Sequence, residues 1–161
     1  MKPPPSRPAA KAPPRHEVAR HPRARFLYEI VETVEAGIVL LGSEVKALRE
    51  GKAQLQEAYA RVRGGELWLV KCHIPEFRHA SAQNHEPLRP RKLLLHRTEL
   101  ARLRARVEQK GLTLVPLCLY FNGKGLAKLD LALARGRKLH DKREAIRSRE
   151  ARTEIRRASR R

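Results

Sequence analysis

Apolar and polar positions change period several times along the chain. From Phe26, the stretch FLYEIVETVEAGIVLLG puts Phe26, Tyr28, Ile30 and Val34 on one face of an extended segment. Ala36-Gly37 interrupts it before a second apolar run, so two neighbouring strands are predicted. SEVKALREG reads as a short helix, with Ser43 as N-cap, Val45 and Leu48 one turn apart, and Gly51 just past the end. In EAYARVRGGELWLVKCHI two strand-like runs meet at Gly64-Gly65, a pair that tolerates the positive φ angles of a two-residue hairpin turn. Residues 75–90, PEFRHASAQNHEPLRP, have no period and hold three prolines and two histidines, the pattern of a long surface loop. RKLLLH is a short apolar strand, and TELARLRARVEQKG carries Leu100, Leu103 and Val107 on a narrow helical stripe that Gly111 ends. LTLVPLCLYF and LAKLDLALAR form a second hairpin about Asn122-Gly123, its last strand alternating Ala127, Leu129, Leu131 and Leu133 against Lys128 and Asp130.

The elements add up to a mainly β chain of about six strands with short helices set among them, lacking the strand-helix alternation of a parallel sheet. An antiparallel six-stranded barrel of the oligonucleotide-binding (OB) type, with two or three helices, accounts for this pattern, since closure removes the sheet edges. A half-open sheet with helices on one face is the alternative.

Both ends differ from this body. Residues 1–17 open with MKPPPSRPAAKAPPR, six prolines in fifteen residues and nothing to bury, and are predicted to be a flexible leader before a barrel over 18–135. Residues 136–161, GRKLHDKREAIRSREARTEIRRASRR, hold eleven Lys or Arg against four Asp or Glu and no aromatic residue. Asp141 with Glu144 three residues on resembles a capping box, and Arg156, Arg157, Arg160 and Arg161 crowd the far end, where a helix dipole favours cations. Ala145, Ile146, Ala151 and Ile155 are too thin a stripe to hold such a helix on the body, so the tail is expected to be disordered alone and to fold when phosphates neutralise it. As one helix it would run about 30 Å.

At 161 residues the chain has room for one core. Its net charge of +19 lies mostly on the two ends and asks for a polyanionic partner. Nucleic acid fits better than a membrane, because the basic tail has no broad apolar face beneath it and no apolar run approaches a bilayer span. A soluble, cytoplasmic protein is expected, with Met1-Lys2 leading into prolines rather than a secretory segment. Cys72 and Cys118 are isolated and read as buried thiols, without metal spacing or a disulfide framework.

Catalysis finds little support. His140-Asp141 is a pair in sequence, in a segment without the apolar surface to hold a general base in place. Glu29, Glu32, Glu35 and Glu44 show no spacing for a shared metal site, and no Gly-rich phosphate loop or nucleophile motif occurs, so no catalytic residue, metal or cofactor is expected. Binding is better supported: Lys46, Arg49 and Lys52 surround the short helix, Arg89, Arg91 and Lys92 cluster after the long loop, and Arg20, Arg23 and Arg25 precede the first strand. The few aromatics alternate with apolar neighbours as core residues do, which argues against stacking platforms and for a folded RNA read through phosphates and shape.

RARFLYEIVETVEAGIVLLGSEVKALREGKAQL, AYARV, PLRPRKLLLHRTEL, KGLTLVPLCLYF and ALARGRKLHDKRE occur in the order seen in the small protein B (SmpB) family, and the chain resembles that family over roughly residues 20–161. The resemblance implies an OB-type barrel without enzymatic activity. It would bind the tRNA-like domain of transfer-messenger RNA (SsrA RNA) and deliver it to stalled ribosomes for trans-translation, acting as a monomer away from membranes. The tail would enter the empty decoding centre and mRNA channel, helical once bound to ribosomal RNA.

Carried over by motif, the RNA-binding residues are Arg23, Arg25, Glu35, Lys46, Arg49, Arg91, Lys92 and Leu94; Lys52 and Arg89 of the basic clusters and His21 complete the expected RNA-binding set. Glu35 is the acid able to accept from guanine N–H groups or ribose hydroxyls. The start of the ribosome-engaging tail is Gly136, Arg137, Lys138, His140, Asp141, Lys142 and Arg143, with His140 placed to stack on a decoding-centre base. His21 stands where many relatives have Asn, and Pro22 and Phe26 replace residues more often basic or His. A structural ribosomal protein or general RNA chaperone with the same barrel is the competing reading.

Overall fold

The computed structural model describes residues 14–80 and 82–159; most of the expected leader therefore lies outside the described residues. The elements in chain order are β1 (His16–Arg20), α1 (Ala24–Leu27), β2 (Tyr28–Ile38), α2 (Gly42–Arg49), β3 (Tyr59–Arg63), β4 (Glu66–Val70), β5 (Arg91–Leu94), α3 (Arg97–Lys110), β6 (Thr113–Phe121), β7 (Ala127–Gly136) and α4 (Leu139–Ala158). All strand pairs are antiparallel. The order β6-β3-β4-β5-β2-β7 closes on itself through β6–β7, a ring of six strands, and β1 adds outside the ring against β6.

Ring closure needs curvature, and one-residue bulges supply it: β2 slips between Ile30 and Glu32 and β6 between Pro116 and Cys118. Pro116 has no N–H to offer the ladder, so the strand breaks register beside it. The Gly64-Gly65 turn forms as predicted, with φ of 59° and 74°. Gly111, at φ 60°, ends α3 in the left-handed conformation. The barrel interior is filled by alternate residues, among them Leu67, Leu69, Leu119, Leu129, Leu131 and Leu133 at 0–1% exposure. Leu48 of α2 and Leu103 of α3 plug it, both at 0%. Glu32 on β2 accepts from Arg102 and Arg106 at 2.6 Å each, fastening α3 to the barrel wall.

Several expectations change. The break predicted at Ala36-Gly37 is absent, because both residues continue β2, and Phe26 belongs to the single turn α1 rather than to a strand. An unexpected first strand, β1, forms in the basic stretch before Phe26, held by pairing with Cys118, Leu119, Tyr120 and Phe121. Leu41, not Ser43, is the residue before α2, and its N–H is capped by the Glu44 carboxylate at 2.8 Å. The second hairpin turns through a longer loop, closed where Asn122 N–H donates to Leu126 O at 3.0 Å. The aromatics are not all core: Tyr120 and Phe121 are buried, but Phe26, Tyr28, Tyr59, Trp68 and Phe77 keep part of their surface in solvent.

Candidate nucleic-acid interface

Cross-strand register assembles one outer face of the barrel. Tyr120 of β6 lies opposite Lys128 of β7, Lys128 opposite Gly37 of β2, and Gly37 opposite Leu94 of β5, a single row across four strands. Cys118, Asp130 and Glu35 form the parallel row beside it. Facing carboxylates at Glu35 and Asp130 would repel, and cations prevent this. Arg15 places Nη1 3.1 Å from Asp130 Oδ2 and Nη2 3.6 Å from Glu35 Oε2, while Lys128 Nζ lies 3.9 Å from Glu35 Oε1.

Arg15 also covers Tyr120, its guanidinium carbon 4.4 Å from the ring centre, and the Tyr120 hydroxyl donates to Glu35. Burial and that hydrogen bond push the Tyr120 hydroxyl well above its ordinary range, so it stays a donor. The Glu35 side chain remains 48% exposed. It is a carboxylate oriented by three neighbours with acceptor capacity facing outward, suited to guanine N–H or ribose hydroxyl groups. Gly37 sits at a close approach: a Cβ there would stand 3.3 Å from Leu94 Cβ, so a side chain would have to push Leu94 aside by a few tenths of an ångström. Leu94 itself is 51% exposed and gives the row an apolar end.

The basic clusters differ in how free their charges are. Arg23 and Arg25 are exposed at α1, with Arg23 5.7 Å from the centre of the Phe26 ring. Lys46 and Arg49 are exposed on α2, and Lys52 is paired with Glu50 at 3.2 Å. Lys92 is held by Glu66 at 2.5 Å.

Arg89 and Arg91 turn instead to Glu44. That carboxylate accepts from Arg89 Nε at 2.9 Å and Nη2 at 2.7 Å, from Arg91 Nε at 2.7 Å, and from the Leu41 N–H. Arg91 is fully buried and spends its other donors on Cys72 O and Pro87 O, so it locks the long loop to α2 rather than presenting a charge to solvent. Burial alone would raise the Glu44 carboxyl, but the hydrogen bonds from Arg89, the Leu41 N–H and Arg91 outweigh it and hold it below the ordinary glutamate range. His21 is also inward, at 6% exposure, and burial pushes its imidazole below the ordinary histidine value; its backbone N–H donates to Leu117 O at 2.8 Å.

The tail begins where β7 ends at Gly136, opposite Tyr28. Arg137 N–H donates to Leu27 O at 3.0 Å, which fixes the direction in which α4 leaves the barrel. Residues 146–159 are all exposed, Ile155 at 69%, and α4 meets the body at α1, across a groove of about 720 Å³ between Phe26 and Ile146. Lys142 and Arg143 lie in its first turns; the side chains of His140 and Asp141 fall outside the described residues.

Arg15, Tyr120, Lys128 and Asp130, which surround Glu35, are not among the residues that the sequence marks for RNA binding. The outward alternation of Lys128 and Asp130 was a usable signal, but which strand they faced was not.

The most enzyme-like pair is His85 with Ser43, of which only His85 is buried. His85, at 3% exposure, contacts Ser43 Oγ through Nδ1 and Ile74 O through Nε2, both at 2.9 Å, and pins loop to helix. Among the described residues, no group of three or more His, Cys, Asp or Glu side chains is arranged to hold a metal, and no helix is long and apolar enough to cross a membrane.

The chain is similar to known proteins over most of its length. The family model described as "SmpB protein" matches residues 18–161. The SsrA-binding protein of Chelativorans sp. (strain BNC1) is 59% identical over 133 residues, 83% of this chain and 86% of that protein. That of Agrobacterium fabrum is 58% identical, covering 83% of each. A solved chain from work described as "tmRNA-SmpB: a journey to the center of the bacterial ribosome" superimposes with a TM-score of 0.65 at 52% identity, covering 80% of this chain and 94% of that one.

Proposed function

The chain belongs to the SmpB protein family, and on that premise we propose that it is an SsrA-binding adaptor that brings the tRNA-like domain of transfer-messenger RNA to stalled ribosomes. It works in the cytoplasm, as a monomer and without chemistry of its own. The observation that carries the reading is the Glu35 carboxylate, half-exposed amid cations on an outer barrel face of a chain 59% identical to an SsrA-binding protein. On a purely electrostatic RNA-binding surface an acid would weaken affinity. Here it reads base or ribose donors, while Arg23, Arg25, Lys46 and Arg49 position the phosphates.

Order in the tail comes from its surroundings. Helix α4 spans 20 residues, about 30 Å, with eleven basic residues in the segment from Gly136 onward and little apolar surface against the body. Such a helix is held by phosphates, and the channel of a ribosome without message supplies them on all sides. Gly136, Arg137, Lys138, His140, Asp141, Lys142 and Arg143 set its entry into the decoding centre.

The test is to recover and sequence the RNA that copurifies with the protein from its host. One dominant tRNA-like species is expected. A mixture of ribosomal and messenger fragments would point to a structural ribosomal protein or RNA chaperone instead.

A further inference from the structure

Trp68 is the only tryptophan of the chain, and it is not in the core. Its neighbours Leu67 and Leu69 point inward at 1% and 0% exposure, so the alternation of β4 turns the indole outward, where it is partly exposed. Register places Arg61 of β3 directly opposite it on one side and Lys92 of β5 on the other. Arg63 lies at the next outward position of β3, opposite Glu66.

Arg61, Arg63, Glu66, Trp68 and Pro90 line a concavity of about 430 Å³, within the range of small-ligand clefts. Glu66 is engaged by Lys92 at 2.5 Å, and neither Arg61 nor Arg63 has an acidic partner among the described residues. A partly exposed indole flanked by two unneutralised guanidinium groups matches one chemistry well: a planar base beside phosphate. Every nucleobase has a π face to lay on the indole, and arginine forks fit phosphate oxygens in pairs. An acidic peptide would satisfy the arginines but leave the indole uncovered.

We propose that this β3–β4–β5 face is a second RNA-binding site that takes an unpaired nucleotide, its base stacked on Trp68 and its phosphates on Arg61 and Arg63. In the closed ring β4 lies across from β7, so the site looks away from the Glu35–Lys128 face, and both can be engaged at once. It does not depend on the tRNA-like domain being the ligand of that other face.

Because no other indole is present, emission from Trp68 reads this site alone, apart from whatever the tail binds. Titrating the full chain with a short oligouridylate should give saturable quenching. In the double variant Arg61→Gln, Arg63→Gln the midpoint should move to higher RNA concentration, and the log affinity–log salt slope should fall by about 1.4, from about 0.7 per lost single-strand phosphate contact. A duplex of equal length and a polyglutamate of equal charge should leave the emission unchanged. Emission that stays flat while labelled RNA is seen to bind, equal quenching by duplex or polyglutamate, or an unaltered midpoint and slope in the double variant would each overturn the proposal.

Discussion

Glu44→Gln tests whether the long loop is fastened by charge. In the native protein one buried carboxylate receives four donors, two from Arg89, one from Arg91 and one from the Leu41 backbone. Glutamine keeps one acceptor oxygen and turns an N–H₂ group toward donors, leaving Arg91, at 0% exposure, as an uncompensated buried cation. Breaking a buried pair from one side costs about 3–5 kcal/mol. For a chain of this size that corresponds to a fall in Tm of about 10 °C. Urea unfolding followed by Trp68 emission measures it.

The pH dependence sharpens the test. The Glu44 carboxyl is held below the ordinary glutamate range, so its contribution is complete above the unfolded-state value and is lost as pH falls through the lower folded value. Wild type and Glu44→Gln should therefore converge in stability as the solution is acidified through and below that range. A variant less than about 1 kcal/mol weaker at neutral pH, or a gap that does not narrow in acid, would refute the reasoning.

Other expectations follow from the same geometry. Glu35→Gln should weaken binding to the tRNA-like domain roughly tenfold while bulk tRNA affinity moves far less, since about 1–3 kcal/mol rides on a specific base contact; equal losses in a filter-binding assay would remove the specific role. Burial pushes the Cys72 thiol up to about 11 and raises Cys118 as well, so iodoacetamide near pH 8 should leave both unlabelled by mass spectrometry until denaturant is added. Rapid alkylation of the native protein would show that the barrel opens readily.

What the sequence revealed and what it hid divides by distance along the chain. The Gly64-Gly65 hairpin was legible because its demand is local: two consecutive positive φ angles that glycine meets without strain. Gly37 misled for the opposite reason, since it makes no turn but continues β2, where the chain that comes close to it is Leu94, on another strand. Strand β1 escaped notice because HEVAR carries no alternation strong enough to predict it, and its order comes from β6, about a hundred residues away.

Among the proposed RNA contacts, side-chain chemistry was visible and direction was not. Arg89 and Arg91 sit in a basic cluster by sequence, yet their partner Glu44 lies 45 and 47 residues earlier and draws them inward. Trp68 shows the reverse error: its apolar neighbours suggested core, while the period of a strand puts every second residue outside.

On the proposed function the barrel recognises one RNA, while the tail must be ordered, not merely positive, to act. Reconstituted tagging on ribosomes stalled without a stop codon, comparing the native chain with one whose residues 136–161 are shuffled at constant composition, tests it most directly. Tagging should be abolished with affinity for the tRNA-like domain essentially unchanged, because phosphate attraction counts charges whereas seating in the decoding centre requires sequence. Tagging that survives the shuffle would contradict it.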